Sequence, residues 1–147
     1  MRVASCPLCA AADAATSVVA ESSLYRIVRV LDAPDFPAFY RVIWNEHVAE
    51  LSDLDGEQRA ACIEAVVAVE QVLRQLSPAK INLAALGNMV PHLHWHVIAR
   101  FHWDSHFPQP IWGARQREVV PAPISRLATD LETLDAGIRG AITALGH

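Results

Sequence analysis

The stretch His92-Leu93-His94-Trp95-His96-Val97-Ile98 alternates histidine with apolar residues before it ends on two apolar positions. Successive side chains of a β-strand point to opposite faces, so the three histidines are predicted to share one face of a strand. The residues between them would pack on a core from the other face. A buried imidazole needs partners for one donor and one acceptor, which makes three in strict alternation costly on a purely structural surface. The pattern therefore indicates a chemical site.

Two kinds of chemistry use a face of this kind. Alternate histidines on a strand can bind a catalytic metal ion together with a ligand from elsewhere in the chain. Alternatively, the central imidazole can attack phosphorus while its neighbours orient it and hold the phosphate. The spacing alone leaves both hypotheses open.

The composition favours a single globular domain that binds neither duplex nucleic acid nor a membrane. The 147 residues, 52% hydrophobic and 19% charged, fit one globular domain with a real core. The net charge is −4, the arginines are scattered and Lys80 is the single lysine, so duplex nucleic acid is not an expected partner. A small anionic ligand is compatible, because backbone donors and histidines can bind it locally. With no apolar run of about 18 residues and no signal-peptide pattern, we expect a cytoplasmic protein without a membrane partner.

Three β-prone segments, residues 16–20, 24–30 and 39–43, precede one strong helical pattern. Asp and Pro residues mark a turn at 32–37 between the second and third segments, which favours an antiparallel meander. Ser52 and Asp55 form a capping pair for a helix that Ser77-Pro78 ends. The apolar stripe of this helix consists of Cys62, Ala65, Val66, Val69, Val72, Leu73 and Leu76.

The rest of the chain completes an α+β pattern. Residues 80–86 and 92–100 are predicted strands, and residues 124–145 a helical region that breaks near Asp135-Ala136-Gly137. We therefore expect an antiparallel sheet of about five strands with one long helix and a C-terminal helical region. As a single domain, residues 1–147 divide into a cysteine knuckle (1–12), a core (about 16–112) and a C-terminal extension (about 113–147).

The stretch 92–98 resembles the pattern of the histidine triad (HIT) family, His-φ-His-φ-His-φ-φ with φ apolar, at every position. Upstream, Arg41-Val42-Ile43-Trp44-Asn45-Glu46-His47-Val48 is similar to the family's segment from strand to helix. Asn82 and Gly87-Asn88 stand where the family has an Asn and a Gly-Gln element. The resemblance covers the chain up to about Trp103, and it implies a HIT-like fold, a hydrolase or nucleotidyl transferase, and a homodimer.

The resemblance also implies roles for single residues. His94 would attack the α-phosphorus of a nucleoside phosphoramidate, dinucleoside polyphosphate or nucleotidyl sugar, which gives a nucleotidyl-histidine intermediate. His96 would contact the phosphate, and backbone donors of the bend 87–89 would help to hold its oxygens. The residues predicted to bind the nucleotide and its phosphate are Asp32, Asn82, Gly87, Asn88, Met89 and His96. Asp32 is a candidate acceptor for the ribose hydroxyls by its position in the loop after the second strand, and a plain turn Asp is the alternative interpretation.

Cys6-Pro7-Leu8-Cys9 has the two-residue gap of a zinc knuckle, whereas Cys62 on the apolar stripe is expected in the core. Two incidental cysteines near a terminus are the alternative interpretation. Some proteins similar to the HIT family, and the related uridylyltransferases, close a zinc site with such a pair and two histidines. Carried over to this sequence, that implies a closed, structural site whose ligands are Cys6, Cys9, His47 and His92.

Two residues depart from the family pattern. Met89 stands where the family has Ser or Thr, and because Met cannot donate a proton, amine leaving groups would be handled poorly or by another residue. This keeps open a third hypothesis, a nucleotide-binding or sensing module with little catalysis. Trp44-Asn45 replaces the usual Pro, which indicates a subfamily. Trp103 and Trp112 could cover the nucleotide site or pack at a subunit contact.

Overall fold

The computed structural model describes residues 1–10 and 13–147, so Ala11 and Ala12 of the predicted knuckle lie outside the described residues. Five strands and two helices make up its regular structure. The strands are β1 (Thr16–Glu21), β2 (Tyr25–Val30), β3 (Phe39–Trp44), β4 (Lys80–Ala84) and β5 (His94–Arg100). The helices are α1 (Gly56–Leu73) and α2 (Leu131–Leu145). In the described ranges, neither helix combines the length and apolarity needed to cross a bilayer.

The five strands form one antiparallel sheet in the order β1-β2-β3-β5-β4. The first three are the predicted meander, and β5 then inserts between β3 and β4. This confirms the α+β fold and places the histidine strand inside the sheet. β5 begins at His94, two residues later than predicted, because Leu93 divides its backbone bonds between the end of β3 and the segment after it. Its carbonyl accepts from the Trp44 amide at 3.1 Å, and its amide donates to the Val48 carbonyl at 2.7 Å.

The two faces of the sheet follow the alternation seen in the sequence. One face packs under the helices, and its buried core residues include Tyr25, Ile27, Tyr40, Val42 and Val97. The opposite face carries the histidines, where β3 places Ile43 beside His94 and Arg41 beside His96.

Helix α1 begins at a capping box, in which the Asp55 carboxylate accepts from the Gln58 amide and the Gln58 side chain accepts from the Asp55 amide. Asp55 is thus the cap, whereas the predicted partner Ser52 lies in a preceding 3-10 turn. Every residue of the predicted apolar stripe is buried, including Cys62. The chain leaves the helix through a short 3-10 turn and Ser77, whose φ of 52° precedes Pro78.

Helix α2 runs without interruption from Leu131 to Leu145, so the predicted break near Asp135 is wrong. The Asp135 carboxylate binds the Arg29 guanidinium at 3.1 Å and accepts from the Tyr40 hydroxyl at 2.8 Å, which ties the helix to the sheet. Gly137 lies against α1, where an added Cβ would be 3.3 Å from Val72 Cγ1. The two residues that locally suggest a break are therefore contacts that dock the helix.

Two glycines in α2 give a matched test of this docking. Gly140→Ala is expected to raise the free energy of unfolding by about 0.5–1 kcal/mol, since alanine favours a helix and its Cβ would meet nothing within 4 Å. Gly137→Ala should give a smaller gain or a loss, because its Cβ crowds Val72. Urea unfolding of both variants measures the difference, and an equal gain would contradict the close packing of α2 on α1.

Candidate active site and metal cluster

A cleft of about 460 Å³ opens between the histidine face of β5 and the bend that precedes it. Its walls are formed by the last two histidines of the triad, by the bend of residues 87–89 and by two large side chains, Arg41 and Trp112. A further wall is Leu8, from the segment Cys6–Cys9, which we call the cysteine segment. The lining residues are Leu8, Arg41, Leu86, Gly87, Asn88, Met89, Val90, His94, His96 and Trp112. The structure thus brings together five predicted site residues, Gly87, Asn88, Met89, His94 and His96.

His94 is held in one tautomer by the backbone. Its Nδ1 lies 2.6 Å from the His92 carbonyl oxygen, which can only accept, so Nδ1 carries the hydrogen and donates. Burial lowers the pKa of His94, the bond to the carbonyl opposes that shift, and the Arg41 charge adds to it. The ring is therefore a neutral imidazole whose Nε2 keeps its lone pair, as a nucleophile requires.

His96 lies in an aromatic setting beside His94. Its ring centroid is 4.9 Å from that of His94, 5.6 Å from Phe39 and 5.1 Å from Trp112. Burial, reinforced by the His94 and Arg41 charges, lowers the pKa of His96 to about 3. The ring is consequently neutral near pH 7, where it can donate one hydrogen bond to a phosphate oxygen but cannot act as a strong acid.

The bend before the triad depends on Gly87, whose φ of 68° is in the left-handed region that favours glycine. This turn carries residues 87–89 along the edge of the cleft. Met89 is 94% exposed at the rim, so its side chain is not part of the packed core.

Two predicted nucleotide-binding residues lie outside the cleft. The Asn82 side-chain oxygen accepts from Arg100 Nη1 at 2.9 Å, in a neighbouring groove that Trp112 borders. Asp32 is exposed in the loop after β2. Burial lowers the pKa of Arg41 and the Asp32 charge opposes that shift, so Asp32 acts on a residue of the cleft without lining it.

Arg41 is not among the predicted site residues, yet it lies directly beside His96 across the β3–β5 pair. The feature of the sequence that could have indicated a role is the position of Arg41, a cation among the apolar residues of a predicted strand. Its guanidinium lies 5.5 Å from the Phe39 ring centroid, and its buried Nε has no hydrogen-bond partner in the part of the chain that is described. The cleft therefore contains a permanent positive charge.

The two loop tryptophans have different surroundings in the structure. Trp103 stacks on Phe101 at 4.7 Å and packs against the core. Trp112 instead borders the cleft beside His96. The loop that carries it begins at a buried ion pair, in which the Asp104 carboxylate binds Arg100 at 2.8 Å and accepts from the backbone amides of residues 101, 106 and 107.

The cysteine segment forms a compact cluster with two histidines. Cys6 Sγ lies 3.4 Å from His92 Nδ1, and Cys9 Sγ lies 3.4 Å from His47 Nδ1 and 3.6 Å from His92 Nδ1. One ligand atom from each of the four residues lies within 4.8 Å of the others. A tetrahedral ion with Zn–S and Zn–N bonds of about 2.3 and 2.0 Å separates sulfur and nitrogen by about 3.5 Å, which these distances match.

The protonation of the cluster also suits a metal. His92 Nε2 lies 2.6 Å from the Trp44 carbonyl oxygen and must donate to it. The lone pair of His92 is therefore on Nδ1, which faces the two cysteine sulfurs and is free to bind a metal ion. The Arg26 guanidinium donates to the Leu8 and Ala10 carbonyls at 2.7 and 3.1 Å and so fixes the cysteine segment on the sheet. These four residues could hold a metal ion next to the cleft.

Comparisons with known proteins agree with this geometry. The HIT domain family model matches residues 11–103, more than half of the chain. The chain is 29% identical to a histidine triad protein from Bradyrhizobium japonicum, with a TM-score of 0.69 over 87% of this chain and 91% of that one. For a histidine triad protein from Marinobacter aquaeolei VT8 the identity is 28% and the TM-score 0.68, over 90% and 92%. A ZN-bound histidine triad family protein from Mycobacterium smegmatis shares the fold at 21% identity, with a TM-score of 0.58 over 97% and 96%. A search of curated proteins gave no significant match.

The low pKa of His96 predicts a neutral ring across the physiological range. Its ring chemical shifts, measured by NMR, are expected to stay constant between about pH 5 and pH 8. From about pH 6.5 down to about pH 3 the unfolded chain binds a proton that native His96 does not, so this group makes folding less favourable as the pH falls. A titration midpoint above about pH 5 would contradict the desolvated setting.

Proposed function

The chain belongs to the histidine triad family, whose HIT domain model matches it over residues 11–103, and from this we propose that it is a nucleotide-binding hydrolase or nucleotidyl transferase. The proposed substrates are nucleoside phosphoramidates and dinucleoside polyphosphates, cleaved at the α-phosphorus. His94 is the proposed nucleophile, and His96 with the bend 87–89 holds the phosphate. The predicted homodimer and cytoplasmic location stay predictions.

The single observation that carries this proposal is the bond from His94 Nδ1 to the His92 carbonyl. It leaves Nε2 as the nitrogen that attacks phosphorus and keeps the ring oriented through the reaction. As Nε2 bonds to the α-phosphorus, the bond from that phosphorus to the leaving group breaks and its electron pair departs with that group. The imidazole becomes cationic, and the Nδ1 hydrogen shares that charge with the carbonyl oxygen. Water then attacks phosphorus, the electron pair of the P–N bond returns to Nε2, and the nucleotide is released.

The alternative of a catalytic metal at the triad lacks a ligand cluster. Within the described residues, the group that could hold a metal contains His92 but neither His94 nor His96. The sensing module is the second candidate function. Met89 favours it, because the Met89 thioether at the rim of the cleft has no proton to donate to a leaving group. Such a cleft could bind a nucleotide and cleave it slowly.

Replacing the proposed nucleophile tests the function directly. His94→Ala is expected to lower turnover of adenosine phosphoramidate and diadenosine tetraphosphate by more than about 10³-fold, because no covalent intermediate can form. His102→Ala, an exposed histidine outside the cleft, should leave turnover unchanged. Mass spectrometry of protein denatured at alkaline pH, where the acid-labile P–N bond survives, should place a nucleotidyl adduct on His94. Tight nucleotide binding with no adduct in the wild type would instead support the sensing module.

We also propose that the cluster of Cys6, Cys9, His47 and His92 binds zinc as a structural ion. The donor set of two thiolates and two imidazoles suits zinc, and four protein ligands leave no position for a substrate. The similar protein from Mycobacterium smegmatis is itself ZN-bound. Zinc in this position would fix the cysteine segment and the ring of His92, while the chemistry takes place at His94.

Metal analysis of cysteine variants tests the zinc proposal. The Cys6→Ser/Cys9→Ser double variant is expected to lose zinc and to melt at least about 5 °C lower, a shift that about 2 kcal/mol produces in a domain of this size. Cys62→Ala removes a buried cysteine of the core and should retain one zinc per chain. Elemental analysis with thermal unfolding measures both effects. Equal zinc content in the double variant and the wild type would contradict the assignment.

A further inference from the structure

Arg41 is a cation that makes no direct ion pair in the described structure. Burial lowers its pKa, and the charges of Asp32 and Asp13 oppose that shift. It is absent from every ion pair among the described residues, and its buried Nε makes no hydrogen bond there. Holding a guanidinium in a partly buried position without a paired anion costs free energy, which an anionic ligand would offset. The side chain lines the cleft next to His96, so the anion that binds it must lie within reach of His94 and His96.

The cleft contains this permanent charge but no general acid. His96 has a pKa of about 3, so it is neutral when a nucleotide binds near pH 7. Arg41 keeps its protons in proteins, Asn88 is not an acid, and Met89 has no proton to give. Among the lining residues, therefore, the side chains can stabilise a departing negative charge but cannot protonate a departing group.

This combination distinguishes between two leaving groups. An amine is a poor leaving group unless it receives a proton as the P–N bond breaks. A phosphate that leaves from a phosphoanhydride departs as an anion and needs only a positive charge beside it. Resting on the nucleotide chemistry proposed above, we propose that Arg41 holds the leaving phosphate of a polyphosphorylated nucleotide and makes the cleft selective for phosphoanhydrides over phosphoramidates.

The step balances with the groups present. His94 Nε2 forms a bond to the α-phosphorus, and the bond from that phosphorus to the bridging oxygen breaks. Its electron pair leaves with the oxygen, so the departing nucleoside polyphosphate gains one negative charge beside the Arg41 guanidinium. Water then attacks the α-phosphorus, the electron pair of the P–N bond returns to Nε2, and one proton passes to solvent. The products are a nucleoside monophosphate and the departed nucleoside polyphosphate.

The test compares two probes, diadenosine tetraphosphate and adenosine 5′-phosphoramidate, on the same set of full-length variants. The wild type should have the higher kcat/KM for the tetraphosphate. Arg41→Met should lower kcat/KM for the tetraphosphate about 10- to 100-fold, the loss expected for a hydrogen bond to a charged group, and for the phosphoramidate by less than about 3-fold. Arg41→Lys, which keeps the charge, should restore most of the loss. Arg74→Met, an exposed arginine outside the cleft, controls for net charge.

A second arm does not depend on the folding of an Arg41 variant. Met89→Ser changes an exposed side chain at the rim, and it should raise the ratio of kcat/KM for the phosphoramidate to kcat/KM for the tetraphosphate, since only the amine needs the hydroxyl proton. A wild-type preference for the phosphoramidate would overturn the inference. So would equal losses on both probes in Arg41→Met, which would assign Arg41 to the α-phosphate.

The adduct separates failure of this inference from failure of the proposed function. A nucleotidyl adduct on His94 with both probes, together with an Arg41→Met variant of unchanged selectivity, overturns the role of Arg41 alone. Turnover of neither probe and no adduct overturns both.

Discussion

Two backbone carbonyls decide which nitrogen of each histidine is free to react. The Trp44 carbonyl takes the Nε2 hydrogen of His92, and the His92 carbonyl takes the Nδ1 hydrogen of His94. Neighbouring histidines of one motif are thereby fixed in opposite tautomers, one presenting Nδ1 to the cysteines and the other Nε2 to the cleft. Without these bonds, each ring would exchange between its two tautomers, and the nitrogen that faces its partner would carry a lone pair for only part of the time.

Strand β3 connects the two centres. Its last residue, Trp44, supplies the carbonyl that orients His92, and Arg41, three residues earlier, stands beside His96. Because the register of β3 against β5 fixes both relations at once, a shift of one residue would turn Arg41 to the helical face and misplace the carbonyl. The antiparallel pairing thus positions the chemistry as well as the core.

Much of this architecture follows from local sequence pattern. The strands, the long helix, the buried stripe with Cys62 and the meeting of Cys6 and Cys9 with His47 and His92 were predicted from periodicity, capping residues or the family motif. The pattern failed where contacts distant in sequence decide. Asp135 and Gly137 suggest a helix break when read locally, yet Arg29, Tyr40 and Val72 give them partners. Asn82 is engaged by Arg100, and the place of Trp112 depends on a loop that Asp104 organises. Neither of these contacts produces a periodic pattern in the sequence from which it could be predicted.

The order in which the molecule can assemble follows from the position of Leu8. This residue is part of the wall of the cleft, yet its neighbours Cys6 and Cys9 find their histidine partners 86 and 38 residues further along the chain. Closing such long loops costs entropy that is recovered only after the sheet exists. The cysteine segment therefore has its full set of partners only once His92 is in place on the sheet. A chain folded without that contact lacks the Leu8 wall of the cleft and has no complete site to offer a nucleotide.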